Sequence, residues 1–347
     1  MGKSMKWKRL LTAGLAGALL LSGCGSRDDG SSSASPAAAG SGGGEPSGQP
    51  QEVTLVLEWT PNTNHTGLYV ARDMGLWEKH GLKVNIILPP EAGSSSLVAS
   101  GKAEFGIGAQ ESMMLAREEG LPLVSIAPII QHNTSGFASP ADRNIKEPKD
   151  FEGKSYGGWG SPAERAVIES VMNVQQADVE KVDFVNIGTA DYFAATQRGI
   201  DFAWIFYGWT GIEAELRGEP VDMIYLTDYS ERLDYYTPLL MTSEQTIKDK
   251  PELVRAFLAG AAEGYRYAID HPDEAADVLI AAVPEINAEL VKASQRWLSP
   301  KYQDDAPRWG EQKREVWSGY GEWMKENGLL EKDLNYDDMF TTEFLPQ

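Results

Sequence analysis

The strongest constraint on the fold is an alternation that runs twice along the chain. Strand-length apolar segments at Val53–Glu58, Val84–Leu88, Glu104–Gly108 and Leu123–Ile130 are separated by helix-length segments near Thr66–Lys79, Ser94–Ser100 and Glu111–Glu118. After Asp150-Phe-Glu-Gly153 the alternation restarts. Strands are expected near Ser155–Gly158, Val182–Ile187, Phe202–Phe206 and Asp222–Leu226, with helices near Pro162–Val174, Ala190–Arg198 and Gly211–Leu216 between them. This spacing builds βαβ units, because parallel strands need crossover connections. Beyond Pro238–Thr242 the pattern turns helical, over Pro251–Asp270, Pro272–Ala282, Asn287–Leu298 and Pro307–Asn327. The fold class is α/β, with two parallel-sheet-based halves and a helical C-terminal segment.

The halves echo each other. Gly101-Lys-Ala-Glu-Phe105 is matched by Gly199-Ile-Asp-Phe202, one residue shorter. Gln110 and Ser112 stand five and seven residues after Phe105, as Tyr207 and Trp209 stand after Phe202. Each set falls where a strand ends and a helix begins. Ligands of open α/β sheets bind beyond the carboxyl ends of strands, so two such halves are expected to face each other across a cleft.

The N-terminus reads differently. Lys3, Lys6, Lys8 and Arg9 precede a 12-residue apolar core, Leu10–Leu21, and then Leu21-Ser-Gly-Cys24. The core is too short to span a bilayer and reads as a signal peptide over residues 1–23. Leu-Ser-Gly-Cys is similar to a bacterial lipobox, which makes Cys24, the only cysteine, the expected lipidated first residue of the mature chain. Residues 24–50 follow as a tether; from Gly25 to Pro50, 21 of 26 residues are Gly, Ser, Ala or Pro, too few apolar groups to offset ordering entropy. The expected location is extracytoplasmic, held to the bacterial membrane by lipid on Cys24. Without the leader the chain has 51 acidic and 27 basic residues, a balance that repels phosphate backbones and argues against nucleic-acid binding. One cysteine excludes a disulfide framework. The four histidines, at 65, 80, 132 and 271, show no metal-ligand spacing, so no metal and no cofactor is expected. Gly153-Lys-Ser155 ends like a nucleotide loop, but Pro148 replaces its first glycine.

Glu58-Trp-Thr-Pro-Asn-Thr-Asn-His65, followed by Gly67-Leu-Tyr-Val-Ala71 and Gly75-Leu-Trp77, resembles the opening of one family. That family is the thiamine-pyrimidine synthase-like group of type II solute-binding proteins, receptors of ABC importers. Ser100-Gly-Lys-Ala-Glu-Phe-Gly-Ile-Gly108, Asp150-Phe-Glu-Gly-Lys154, Gly199-Ile-Asp201 and Lys250-Pro-Glu-Leu-Val-Arg-Ala-Phe257 extend the resemblance over about residues 52–285. Tyr207-Gly-Trp-Thr-Gly-Ile-Glu213 is narrower and resembles receptors for formylaminopyrimidine- and hydroxymethylpyrimidine-type thiamine precursors. The resemblance implies a type II periplasmic-binding-protein fold closing on its ligand, with one lobe from 51–135 and 236–347 and the other from 140–235. It also implies an ABC permease as partner, and a monomer. Fungal enzymes of the group use a histidine near the start of the third helix and a cysteine-rich run. Ser112 stands at the histidine's place here, so no enzyme activity is expected. A sulfonate, a riboflavin-like nutrient or pyrimidine synthesis are the alternatives.

The candidate ligand-binding residues follow from these loops. Trp59 can stack on a heteroaromatic ring; Asn62 and His65 flank it in the same turn. Gln110, Ser112, Tyr207 and Trp209 occupy the equivalent loops. Ser161 caps a helix with Pro162 at its first position, so amides of Gly160 and Ser161 are expected to hold a ligand oxygen, with Trp159 as a wall. Glu58, Glu111 and Glu213 are candidate acceptors for an exocyclic amine. Trp297, Trp309, Trp317 and Trp323 are expected in the core, Trp309 and Trp317 on a shared helix face.

Overall fold

The computed structural model describes residues 49–188 and 190–347. The expected signal peptide, Cys24 and nearly all of the tether lie outside the described residues. Among the described residues, ten strands form two five-stranded sheets. In chain order they are β1 (Gln51–Val56), β2 (Leu82–Ile87), β3 (Phe105–Gly108), β4 (Leu123–Pro128), β5 (Ser135–Pro140), β6 (Ser155–Gly158), β7 (Asp183–Asn186), β8 (Phe202–Phe206), β9 (Val221–Tyr225) and β10 (Leu239–Ser243). One sheet runs β2-β1-β3-β10-β4 and the other β7-β6-β8-β5-β9.

The two orders are equivalent, strand for strand. β1 pairs in parallel with β2 and β3, as β6 does with β7 and β8. Phe105 sits opposite Leu55 and Phe202 opposite Tyr156, so the sequence echo marks corresponding places. Each phenylalanine stacks on another: Phe105 on Phe257 at 3.8 Å between centroids, Phe202 on Phe151 at 4.1 Å. The fourth strand of each sheet is antiparallel to its neighbours and arrives from the other half of the fold, β10 between β3 and β4, β5 between β8 and β9. Strand β5 was not expected from the sequence. Its Ser-Gly-Phe-Ala-Ser-Pro carries no alternation, because it is buried along almost its whole length.

Helices flank the strands: α1 (Thr66–Asp73), α2 (Leu76–Lys79), α3 (Gly93–Ala99), α4 (Gln110–Glu118), α5 (Pro162–Asn173), α6 (Tyr192–Gln197) and α7 (Ile212–Arg217). The single helix expected over Thr66–Lys79 is two, because Gly75 takes a left-handed φ of 67°. The C-terminal part adds α8 (Glu244–Asp249), α9 (Pro251–Asp270), α10 (Pro272–Ala282), α11 (Ala288–Leu298) and α12 (Arg314–Glu326). The last begins seven residues later than expected, leaving Trp309 outside it. Trp309 stacks on Tyr265, and Trp317 on Phe340. Both are buried, but in different clusters rather than on one helix face.

Helix α1 carries the turn that follows β1, and α9 fixes its position. A Cβ on Gly264 would lie 2.0 Å from the Gly67 carbonyl oxygen, so the two backbones touch only because α9 has glycine there. His132 lies between β4 and β5 and bridges two acids. Its Nδ1 is 2.6 Å from Asp234, between β9 and β10, and its Nε2 is 3.1 Å from Asp305. The hydrogen bond to Asp234, above all, holds the imidazolium and pushes its pKa up to about 9.

Two outcomes are expected. Gly264→Ala should lower stability by about 1–3 kcal/mol in urea unfolding, whereas Gly319→Ala, where a new Cβ meets nothing within 4 Å in α12, should leave it unchanged or raise it by up to about 1 kcal/mol. A histidine with a raised folded pKa stabilises fully below its unfolded value and loses that contribution as pH rises through the folded one. The melting temperature should therefore fall between pH 6.5 and about 9 in a step that His132→Gln removes.

Candidate functional site

The turn after β1 is built by its own side chains. Asn62 accepts from the Asn64 amide at 2.9 Å and donates to the Thr60 carbonyl at 3.0 Å. Its amide donates to Nδ1 of His65 at 3.2 Å. Nδ1 thus accepts, which places the ring proton on Nε2, 3.0 and 3.2 Å from the two oxygens of Glu58. His65 is fully buried, and Trp59 is thrown outward, 56% exposed.

In the second sheet, the loop after β6 is organised by Glu164, a buried acid on α5. Its carboxylate accepts from the amides of Trp159, Gly160 and Ser161 at 2.7–3.0 Å and from the Tyr156 hydroxyl at 2.6 Å. The amides expected to be free for a ligand are therefore occupied. Trp159 stands out from the loop, 50% exposed. After β8 a π-turn, Tyr207–Gly211, leads into α7. Tyr207 is half-buried there, its hydroxyl on Glu215 and its ring on Trp297 and Tyr225.

A cavity of about 880 Å³ opens between these loops. Its first side has Glu58, Trp59, Asn62 and Asn64 from the β1 turn, Ser94–Ser96 at the start of α3, and Ser112, Leu115 and Glu119 around α4. The other side has Trp159, Phe206 and Trp209, and the crossing segment adds Thr237 and Pro238. The repeat explains the selection. Residues four and seven positions after the repeated phenylalanines line the cavity, namely Ala109 and Ser112 in one half, Phe206 and Trp209 in the other. Those five positions after, Gln110 and Tyr207, do not.

Of the residues expected at the site, Trp59, Asn62, Ser112, Trp159 and Trp209 line this cavity. His65, Gln110, Gly160, Ser161 and Tyr207 do not, each for a local reason. His65 is spent on Glu58 and Asn62. Gln110 pairs with the Tyr236 backbone, its amide donating to the carbonyl at 2.9 Å and its Oε1 accepting from the amide at 3.0 Å. Gly160 and Ser161 serve Glu164. Of the three candidate acids only Glu58 faces the cavity; Glu111 bonds Tyr320, with burial pushing its carboxyl up, and Glu213 pairs with Arg217. Phe206 and Glu119 were missed. The four-and-seven offset could have found Phe206, while Glu119 reads as an ordinary helix-end acid.

The lining has one electrostatic character. It holds two carboxylates, Glu58 and Glu119, with four large aromatic rings and no lysine, arginine or histidine. Such a surface suits a planar ring that donates hydrogen bonds or carries positive charge. Among the described residues no cluster of three or more His, Cys, Asp or Glu side chains is placed to hold a metal ion.

Residues 62–275 match the family model described as NMT1/THI5 like. The chain belongs to the NMT1/THI5-like family. The chain is 26% identical to a formylaminopyrimidine-binding protein of Halalkalibacterium halodurans, over 84% of this chain and 90% of that one. It is 26% identical to the riboflavin-binding protein RibY of Chloroflexus aurantiacus, over 97% and 98%. It is 24% identical to a 4-amino-5-hydroxymethyl-2-methylpyrimidine phosphate synthase of Legionella pneumophila, over 85% and 92%. The relatives' names thus include both binding proteins and a synthase. The fold is that of the periplasmic aliphatic sulphonate binding protein SsuA of Escherichia coli, with a TM-score of 0.64, 14% identity, and coverage of 83% of this chain and 91% of that one.

The geometry separates wall from scaffold. Trp59→Ala and Trp159→Ala should leave the melting temperature of the unliganded protein nearly unchanged, because both rings are about half in water. Gln110→Ala should destabilise by about 1–3 kcal/mol, since it strands a buried amide. Thermal unfolding of the three variants checks this.

Proposed function

We propose that this chain is an extracytoplasmic, lipid-anchored solute-binding protein of an ABC importer. Its ligand is a thiamine-precursor pyrimidine of the formylaminopyrimidine or hydroxymethylpyrimidine type, carried to a permease by the monomer. Two lobes, 51–135 with 236–347 and 140–235, close on it, and residues 1–23 with Cys24 supply export and anchoring. The observation that carries this reading is the aromatic, acidic lining without a basic side chain. Offset stacking on tryptophan adds roughly 0.5–1.5 kcal/mol per ring pair beyond burial, and carboxylates accept from an exocyclic amine. The formylaminopyrimidine-binding relative supports the ligand class.

The same lining disfavours a sulfonate, whose charge needs a cationic or amide-rich pocket. Enzymatic pyrimidine synthesis is disfavoured by Ser112 at the place of the reactive histidine; its hydroxyl donates to the Ala109 carbonyl at 3.0 Å. A second reading, a riboflavin-like fused ring, is favoured by the cavity's volume of about 880 Å³, roomy for a single pyrimidine, and by the Chloroflexus relative.

Titration of residues 49–347 with 4-amino-5-hydroxymethyl-2-methylpyrimidine or its formylamino analogue should raise the melting temperature. A ligand at 100 times its Kd adds about 2.7 kcal/mol. A response to riboflavin alone selects the second reading. A response to an alkanesulfonate alone contradicts both.

A further inference from the structure

Glu58 is the acid of the cavity whose direction is fixed. A single Nε2–H of His65 straddles its two oxygens at 3.0 and 3.2 Å. His65 is itself held from behind by the Asn62 amide on Nδ1. The imidazole is fully buried while the Glu58 carboxylate is about a quarter exposed, on the cavity side. No lysine or arginine among the described residues forms an ion pair with Glu58. One N–H shared between two oxygens leaves lone pairs of both unused, beside the Trp59 ring on which a planar ligand can stack.

We propose that Glu58 is the specificity-determining acceptor of this site, selecting aromatic heterocycles that present an exocyclic amine, and that His65 is a positioning residue acting through it. The inference rests on reading the cleft as a heteroaromatic site and goes further, naming the ligand edge that is read and the pair that reads it. Carboxylate oxygens only accept, so an amino group is welcomed, and a ring carbonyl at the same position meets the carboxylate lone pairs with nothing to donate. A site built to bond an N–H group rejects analogues lacking it far more strongly than apolar packing could. The buried imidazole keeps the carboxylate from swinging into water, and preorganisation of that kind raises affinity without adding a ligand contact.

The test compares 4-amino-5-hydroxymethyl-2-methylpyrimidine with its 4-oxo analogue by calorimetry. The wild type should prefer the amine by about tenfold or more, the range set by a hydrogen bond to a charged group. Glu58→Gln, whose amide offers both a donor and an acceptor, should bring the two affinities within about threefold. Glu58→Asp should retain part of the preference. His65→Phe should weaken amine binding and shrink the preference while Glu58 is intact, a change of selectivity that a purely structural role would not produce. If His65→Phe does not fold, Glu58→Gln decides by itself, because Glu58 is partly exposed. Amine preference unchanged in Glu58→Gln overturns this proposal and leaves the pyrimidine reading standing. Failure of the wild type to bind either pyrimidine overturns both.

Discussion

The cleft depends on the pairing of each crossing strand into the interior of a sheet. Leu239 of β10 lies opposite Gly108 of β3, and Ser135 of β5 lies opposite Phe206 of β8. Gly108 and Phe206 are the last residues of their strands, and both line the cavity. The antiparallel partners therefore bring the chain's two crossings to the strand ends where ligands of α/β sheets bind. Thr237 and Pro238 line the cavity as part of the second crossing. His132 and Asp234 tie one crossing to the other. The ends of β3 and β8 thus open onto the cavity.

The C-terminal helices add contacts to both halves. Ser294 on α11 bonds the Thr63 hydroxyl at 2.6 Å, beside the β1 turn, and its hydroxyl donates to the Gly208 carbonyl in the π-turn. On α12, Tyr320 bonds Glu111 of α4, while Trp323 donates to Ser170 of α5. These bonds place α11 and α12 against helices and turns of both sheets. The cavity is acidic within an acidic chain, and few of the candidate acids face into it. Glu164, Glu111 and Glu213 are spent on amides, a hydroxyl and a guanidinium, which leaves Glu58 and Glu119 toward the ligand space.

Much of the architecture was legible in the sequence because it rests on periodicity. The strands at Ser155–Gly158 and Phe202–Phe206, and the helices at Pro251–Asp270 and Pro272–Ala282, fall on the expected residues. The internal echo correctly marked equivalent loops. The crossing strand β5 was invisible because burial along both faces erases alternation. Around the cavity, spacing named loops that line it but could not assign side-chain direction. Tyr207 and Phe206 are adjacent, but Phe206 ends β8 and lines the cavity, whereas Tyr207 opens the π-turn and packs on Trp297 and Tyr225. Gly160 and Ser161 looked like free helix-end amides, although Ser161-Pro-Ala-Glu164 is a capping-box pattern that returns Glu164 to the Ser161 amide; that the same carboxylate also takes the Trp159 and Gly160 amides depends on how the loop folds. His65, read as a contact, lies buried behind Glu58, which lines the cavity.

The central claim is that two sheet-based lobes close on a planar heterocycle between Trp59 on one side and Trp159, Phe206 and Trp209 on the other. Closure requires contacts from both sides at once. Small-angle scattering of residues 49–347, with and without saturating 4-amino-5-hydroxymethyl-2-methylpyrimidine, measures it directly. The radius of gyration should fall on ligand addition, and with Trp209→Ala the fall should need at least about tenfold more ligand. A radius of gyration unchanged at concentrations where calorimetry shows the ligand bound would contradict closure between the lobes.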